Sequence, residues 1–65
     1  MNSETASKPD ALLQGRIAAI RGGVVDVEFE GRVPHIHDLL YAGEVALEVV
    51  SLMGNGTVRA IAMAP

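Results

Sequence analysis

Sixty-five residues leave room for one small domain, and a chain of this length buries only about 60% of the surface its unfolded form exposes, so its stability margin is narrow. With no cysteine, neither disulfides nor a thiolate metal site can supplement the core. A net charge of −3, only two aromatics (Phe29 and Tyr41) and a single lysine, at position 8, argue against a nucleic-acid surface, which needs cations for phosphates and ring faces for bases.

Residues 1–11 form a polar stretch without periodicity, ending near a Pro-Asp pair. This composition cannot repay its ordering entropy and predicts a flexible leader ahead of a domain over 12–65. The leader has neither a basic n-region nor an apolar h-region, and no apolar run in the chain reaches the roughly 18 to 20 residues of a membrane span. A soluble, unexported chain is the expectation.

Leu12 to Ile20 reads as a first strand, with Gly15 inside it suggesting a bulge or a barrel corner. Arg21-Gly22-Gly23 follows as a tight turn, the paired glycines being suited to the positive φ angles of a two-residue hairpin. Val24 to Glu30 then alternates, with Val25, Val27 and Phe29 on one face and Asp26, Glu28 and Glu30 on the other. Glu30-Gly31-Arg32 is a turn.

The stretch from Val33 to Gly43 is irregular because Pro34 cannot donate to a sheet ladder. A short strand at Val33 to Ile36 and a helical turn over His37 to Leu40, ended by Gly43, are expected there. Glu44 to Met53 is valine-rich, with Val45, Leu47 and Val49 on one face and Ala46, Glu48, Val50 and Leu52 on the other. Asn55-Gly56 is the strongest short-range hairpin signal and makes Thr57 to Met63 the return strand.

Short strands separated by turns every 8 to 12 residues or so predict an all-β fold, a small closed or nearly closed antiparallel β-barrel of five to six strands. Hydrophobic residues make up 49% of the chain although aromatics are scarce, so part of the apolar surface is expected to face a partner. The last hairpin is apolar on both faces, and its outer side is the prime candidate.

Chemistry is sparse. Gly22-Gly23 leads into a strand and no G-x-x-x-x-G-K-[ST] string occurs, so a phosphate cradle is not expected. His35-x-His37 with Asp38 resembles part of a zinc site but lacks a further placed ligand, and surface or interface histidines are the simpler reading. Asp26 and Glu28 share a strand face, which solvation explains better than acid/base catalysis. No catalytic, nucleotide-binding or metal residue is assigned. An independent OB- or SH3-like barrel binding nucleic acid or peptide is the main alternative, opposed by the acidity and the few aromatics. A small hydrolase would need a pocket with convergent polar groups.

Two blocks carry a family resemblance. Gly15-Arg16-Ile17 through Ile20, then Gly23-Val24-Val25-Asp26-Val27-Glu28-Phe29, is similar to the G-[RK]-[IV]-x-x-[IV]-x-G-x-V-V-D-V-x-F opening of rotary F-type ATP synthase β subunits. Leu47-Glu48-Val49, Leu52, Gly54 and Val58-Arg59-Ala60-Ile61-Ala62-Met63 resemble that family's L-E-V-x-x-x-L-G-x-x-x-V-R-x-I-A-M. The resemblance covers Leu12 to Met63, is weakest over His35 to Gly43, and implies the N-terminal six-stranded barrel of the subunit.

In that family such barrels join into a crown at the end of the catalytic head farthest from the membrane. The resemblance therefore implies a non-catalytic assembly domain, a fragment of a longer subunit whose nucleotide-binding and C-terminal domains would follow Pro65. Its expected partners are adjacent α subunits, through the outer faces of Glu44 to Met53 and Thr57 to Met63, specifically Ala46, Val50, Leu52, Arg59, Ile61 and Met63. An edge strand left unpaired would favour self-association of the isolated domain. No nucleic acid and no direct membrane contact are expected, and no cofactor in this segment; the parent subunit would use ATP/ADP and Mg. Its location would be cytoplasmic, peripheral to the inner membrane through the parent complex.

Overall fold

The structure is a computed structural model that describes residues 5–7 and 13–63. Six strands, β1 (Thr5–Ser7), β2 (Gln14–Arg21), β3 (Val24–Phe29), β4 (Leu39–Ala42), β5 (Val45–Gly54) and β6 (Thr57–Ala62), close into an antiparallel barrel in the order β1-β2-β3-β6-β5-β4. The expected all-β closed barrel is therefore what forms. Closure solves a problem of this short sequence: each ribbon can bury one face only if the sheet curls on itself, and curling also removes the unpaired edges that a flat sheet would leave.

The interior follows the alternation. Val25, Val27 and Phe29 of β3 meet Leu47 and Val49 of β5, Val58 and Ala60 of β6, Leu40 of β4 and Ala6 of β1, all buried. Leu13, Ile17, Val33, Ala42 and Ala62 pack around them. Large and small residues alternate within this space. Phe29 lies opposite Gly15 in the register, and a Cβ on Gly15 would come within 2.8 Å of its ring and 2.7 Å of a Val27 methyl.

That contact corrects the expectation of a bulge at Gly15, which pairs regularly with both Phe29 and Ala6. The glycine is there because the phenyl ring occupies the space a side chain would need. The irregularity of β2 lies between Ile17 and Ala19. It puts Ile20 in register with buried Val25, at a barrel rim where Ile20 remains 58% exposed.

The flexible-leader expectation is corrected at Thr5–Ser7. These residues form β1, pairing Thr5, Ala6 and Ser7 with Arg16, Gly15 and Gln14, and Ser7 with Tyr41 across the seam to β4. A three-residue T-A-S segment carries no periodic signal; what holds it is the barrel, which supplies backbone partners on β2 and a closed interior where the small Ala6 side chain is fully buried. Leader residues 1–4 and 8–11 lie outside the described residues.

The segment before β5 also differs from expectation. Residues 32–35 join no ladder, Pro34 is fully buried, and Ile36-His37 form a turn, with His37 at φ 78°. There is no helical turn over His37 to Leu40. The His37 N–H donates to the Val49 carbonyl (2.7 Å) and the Val49 N–H to the Asp38 carbonyl (2.9 Å), so pairing with β5 begins here and continues through Leu40 opposite Leu47. The backbone demand of β5 and a barrel slot for Leu40 outweigh local helix preference.

At the β5–β6 hairpin, Asn55 (φ 54°) and Gly56 (φ 79°) both adopt positive φ, the conformation an Asn-Gly two-residue turn requires. At the β2–β3 turn only Gly22 does so, not the pair. Register shifts between Val49 and Ser51 and between Leu52 and Gly54 bend β5. They matter for the surface described next.

Candidate functional site

The outside of the barrel is built by the same pairing that builds its core. Val24 of β3 lies opposite Ile61 of β6, Ile61 opposite Glu48 of β5, and Glu48 opposite Leu39 of β4, a row of neighbouring outward side chains across four strands. A second row joins Tyr41 to Ala46 in register, and the Met63 N–H donates to the Ala46 carbonyl at 2.8 Å. Val24, Leu39, Tyr41, Ile61 and Met63 are each 37–46% exposed. The two rows form one sheet face that is apolar except for Glu48 between Ile61 and Leu39, of the sort that marks an association surface.

Charged groups frame it. Arg59 grips Asp26 with two hydrogen bonds, Nε to Oδ1 at 2.9 Å and Nη2 to Oδ2 at 3.1 Å. This contact, with help from the nearby Arg21 charge, holds the Asp26 carboxyl below its usual value of 3.8 and raises the Arg59 guanidinium further. Arg16 pairs with Glu28 at 3.2 Å, and the exposed His37 ring nitrogen meets Glu48 at 2.9 Å.

Because Asp26 has a depressed pKa when folded, its stabilising contribution is present above the unfolded value and is lost as pH falls through the folded one. An Asp26→Asn variant is therefore expected to be less stable than the parent at pH 7 and to approach it below about pH 4, in thermal unfolding scans across pH 3 to 7. Equal destabilisation at every pH would contradict this.

Of the six residues expected at an interface, Ala46, Ile61 and Met63 lie in the two apolar rows. Arg59 faces outward but is committed to Asp26. Val50 is the extra, half-buried residue at the first β5 register shift. Leu52 is 48% exposed and, past the register shift, lies in register with Val58 at the barrel rim, apart from the Ala46 and Glu48 rows. Val24, Leu39 and Tyr41 were not anticipated. Alternation with Val25 places Val24 outward, whereas Leu39 lies in the expected helical turn over His37 to Leu40 and Tyr41 in the irregular stretch that follows it.

His35, His37 and Asp38 do not converge. The His35 side chain is exposed and lies 3.9 Å from Asp38, whose carboxylate accepts the His35 backbone N–H at 2.9 Å, while His37 turns to Glu48. Among the described residues no group of three or more His, Cys, Asp or Glu is disposed to hold a metal.

Residues 17–65 match the family model described as the ATP synthase alpha/beta family, beta-barrel domain. The chain belongs to the ATP synthase alpha/beta family. It is 58% identical over 52 residues to ATP synthase subunit beta 2 of Nitrosomonas eutropha, covering 80% of this chain and 11% of that protein. It is 56% identical over 57 residues to ATP synthase subunit beta 1 of Dinoroseobacter shibae, covering 88% of this chain and 12% of that protein. The chain thus spans about a tenth of the length of these relatives. No solved structure matches it significantly.

Proposed function

We propose that this chain is the crown barrel of a rotary F-type ATP synthase β subunit, an assembly element that packs beside the barrels of neighbouring α subunits in the catalytic head. The observation that carries the reading is the apolar face formed by Val24, Ile61, Leu39, Tyr41, Ala46 and Met63 on the outside of a barrel that is already closed. A barrel with a filled core and no open edge has no internal need for such a face, but a ring segment does.

The barrel itself is non-catalytic in this reading. Synthesis or hydrolysis of ATP with Mg, and its coupling to ion transport, belong to the parent subunit and complex, held peripherally at the cytoplasmic side of the inner membrane. Against nucleic-acid binding, two of the five Lys/Arg residues are committed, Arg16 to Glu28 and Arg59 to Asp26, leaving little charge for phosphates.

Ile61→Asp tests the proposal. The position is 46% exposed, so an aspartate there leaves the core intact, and the cost to barrel stability, from lost strand propensity and the opposing Glu48, should stay at about 1–2 kcal/mol. When the parent subunit is co-expressed with its head partners, recovery of assembled head is expected to fall at least about tenfold, because a desolvated, unpaired charge at an interface costs several kcal/mol. Normal recovery of heads carrying the variant would refute this face as the contact.

A further inference from the structure

Asparagine occurs twice in the chain, as Asn2-Ser3 and as Asn55-Gly56. An asparagine side chain is open to attack by the backbone nitrogen that follows it, which expels ammonia and makes asparagine one of the thermolabile residues. A following glycine has no Cβ to hinder the approach. Asn55 is therefore the more reactive of the two by local chemistry.

The hairpin sets how far that chemistry can run. Asn55 (φ 54°) and Gly56 (φ 79°) are the two central residues between the paired Gly54 and Thr57, and in such a turn the N–H of the second central residue takes no part in the ladder. Asn55 is exposed and borders an open surface groove of about 500 Å³ with Gln14, Arg16, Glu28 and Glu30. Nucleophile, amide carbon and water are all at hand.

Freedom to close the ring is what the fold withholds. Bringing the Gly56 nitrogen onto Asn55 Cγ requires the peptide between the two residues to turn. That peptide is anchored, because Gly54 and Thr57 close the ladder around it and the Gly56 carbonyl accepts the Phe29 N–H at 2.8 Å. The Phe29 carbonyl oxygen lies 2.5 Å from where a Cβ of Gly56 would stand, so the end of β3 leaves no slack there. Reaction requires the turn to open first, and its rate follows the open fraction.

We propose that Asn55 is a deamidation site gated by opening of the β5–β6 turn, and that its isoaspartate product holds the turn open. In the open turn the Gly56 nitrogen bonds to Asn55 Cγ, the Cγ–Nδ2 bond breaks, and Nδ2 leaves as ammonia with the proton that Gly56 gave up. Water then opens the succinimide without any exchange of electrons. Addition at Cγ gives aspartate at position 55; addition at the main-chain carbonyl carbon gives isoaspartate, whose backbone runs through the side chain and is longer by a methylene. A turn lengthened in this way cannot keep Gly54 paired with Thr57 and the Gly56 carbonyl on the Phe29 N–H together. The new carboxylate also shares its groove with Glu28 and Glu30, where Arg16 is already paired with Glu28.

Ageing the 65-residue chain at mildly alkaline pH, with and without urea, tests the gate. Peptide mass spectrometry reads the gain of about one dalton at each asparagine, and electron-transfer fragmentation separates aspartate from isoaspartate. Conversion of Asn55 is expected to be at least about tenfold slower in buffer than in urea, and in urea to outpace that of Asn2 severalfold. Equal rates in buffer and urea would overturn the gate; an Asn55 no faster than Asn2 in urea would overturn the site. Hydrogen exchange tests the product. The Phe29 amide is expected to exchange at least about tenfold faster in the isoaspartate form than in the parent, whereas freshly made Asn55→Asp, with the same charge on an ordinary backbone, stays within about threefold of the parent. An isoaspartate form that protects Phe29 as the parent does would overturn the second half of the proposal, as would an Asn55→Asp chain that exposes Phe29 equally. None of these readouts involves the assembled head, so this proposal and the crown assignment fail separately.

Discussion

Replacing Gly56 by alanine is expected to destabilise the barrel by about 2–4 kcal/mol, combining the cost of a side chain at positive φ with that of a steric clash. The residue sits at φ 79°, and a Cβ built on it falls 2.5 Å from the Phe29 carbonyl oxygen. That oxygen is backbone and cannot rotate away. The same approach of chains lets the Phe29 N–H donate to the Gly56 carbonyl at 2.8 Å, so the clash also opens a bond that ties the β5–β6 turn to the end of β3.

For 65 residues the total stability is on the order of 3–10 kcal/mol, so the loss would be a large share. Gly23→Ala is the control. Gly23 has no positive φ and nothing within 4 Å of its Cβ position, and the change should be neutral or stabilising by up to about 1 kcal/mol. Urea unfolding of the two variants checks this; similar midpoints for both would contradict the geometry at Gly56.

Ala6→Asp is expected to have an effect of similar size through a different route. Ala6 is fully buried opposite Gly15, where a carboxylate would have no partner and no water. The barrel can escape by releasing β1, so the cost is capped at that of detaching the strand, about 2–4 kcal/mol. Release leaves β2 and β4 with unpaired edges, and edges invite pairing between chains. Faster hydrogen exchange confined to residues 14–16 and Tyr41, with concentration-dependent association, is the expected signature. A variant as stable and as protected as the parent would mean that Thr5–Ser7 does not close the barrel.

The strands legible in the sequence were those whose register is fixed by alternation and a turn of known chemistry. Val25, Val27 and Phe29 alternate with Asp26 and Glu28, and Asn55-Gly56 allows only a tight hairpin, so β3 and the β5–β6 pair could be read directly. β1 and β4 could not. Three residues carry no period, and Leu39 to Ala42 is apolar throughout; both are strands because β2 and β5 present backbone groups that must be paired.

The surface was legible to the same degree. The outward phase of Ala46 and Ile61 follows from alternation on the last hairpin, whereas the register of Leu52 does not, because an extra residue at Val50 reverses the phase beyond it. Arg59 was expected at the interface because it faces outward, and it does, yet the opposing Asp26 that engages it is visible only once β3 and β6 are paired.

Coverage of the outward apolar face in the assembled head is the claim on which the proposed role depends. Met63 and Met53 offer an internal comparison: they are almost equally exposed on the barrel, 45% and 44%, but Met63 adjoins Ala46 in that face while Met53 lies at the far end of β5 beside the hairpin turn. Oxidative footprinting of the isolated chain and of the parent subunit within the head compares them directly. The account predicts that labelling of Met63 drops severalfold in the head while that of Met53 changes little; Met63 labelled as readily in the head as in the isolated chain would contradict it.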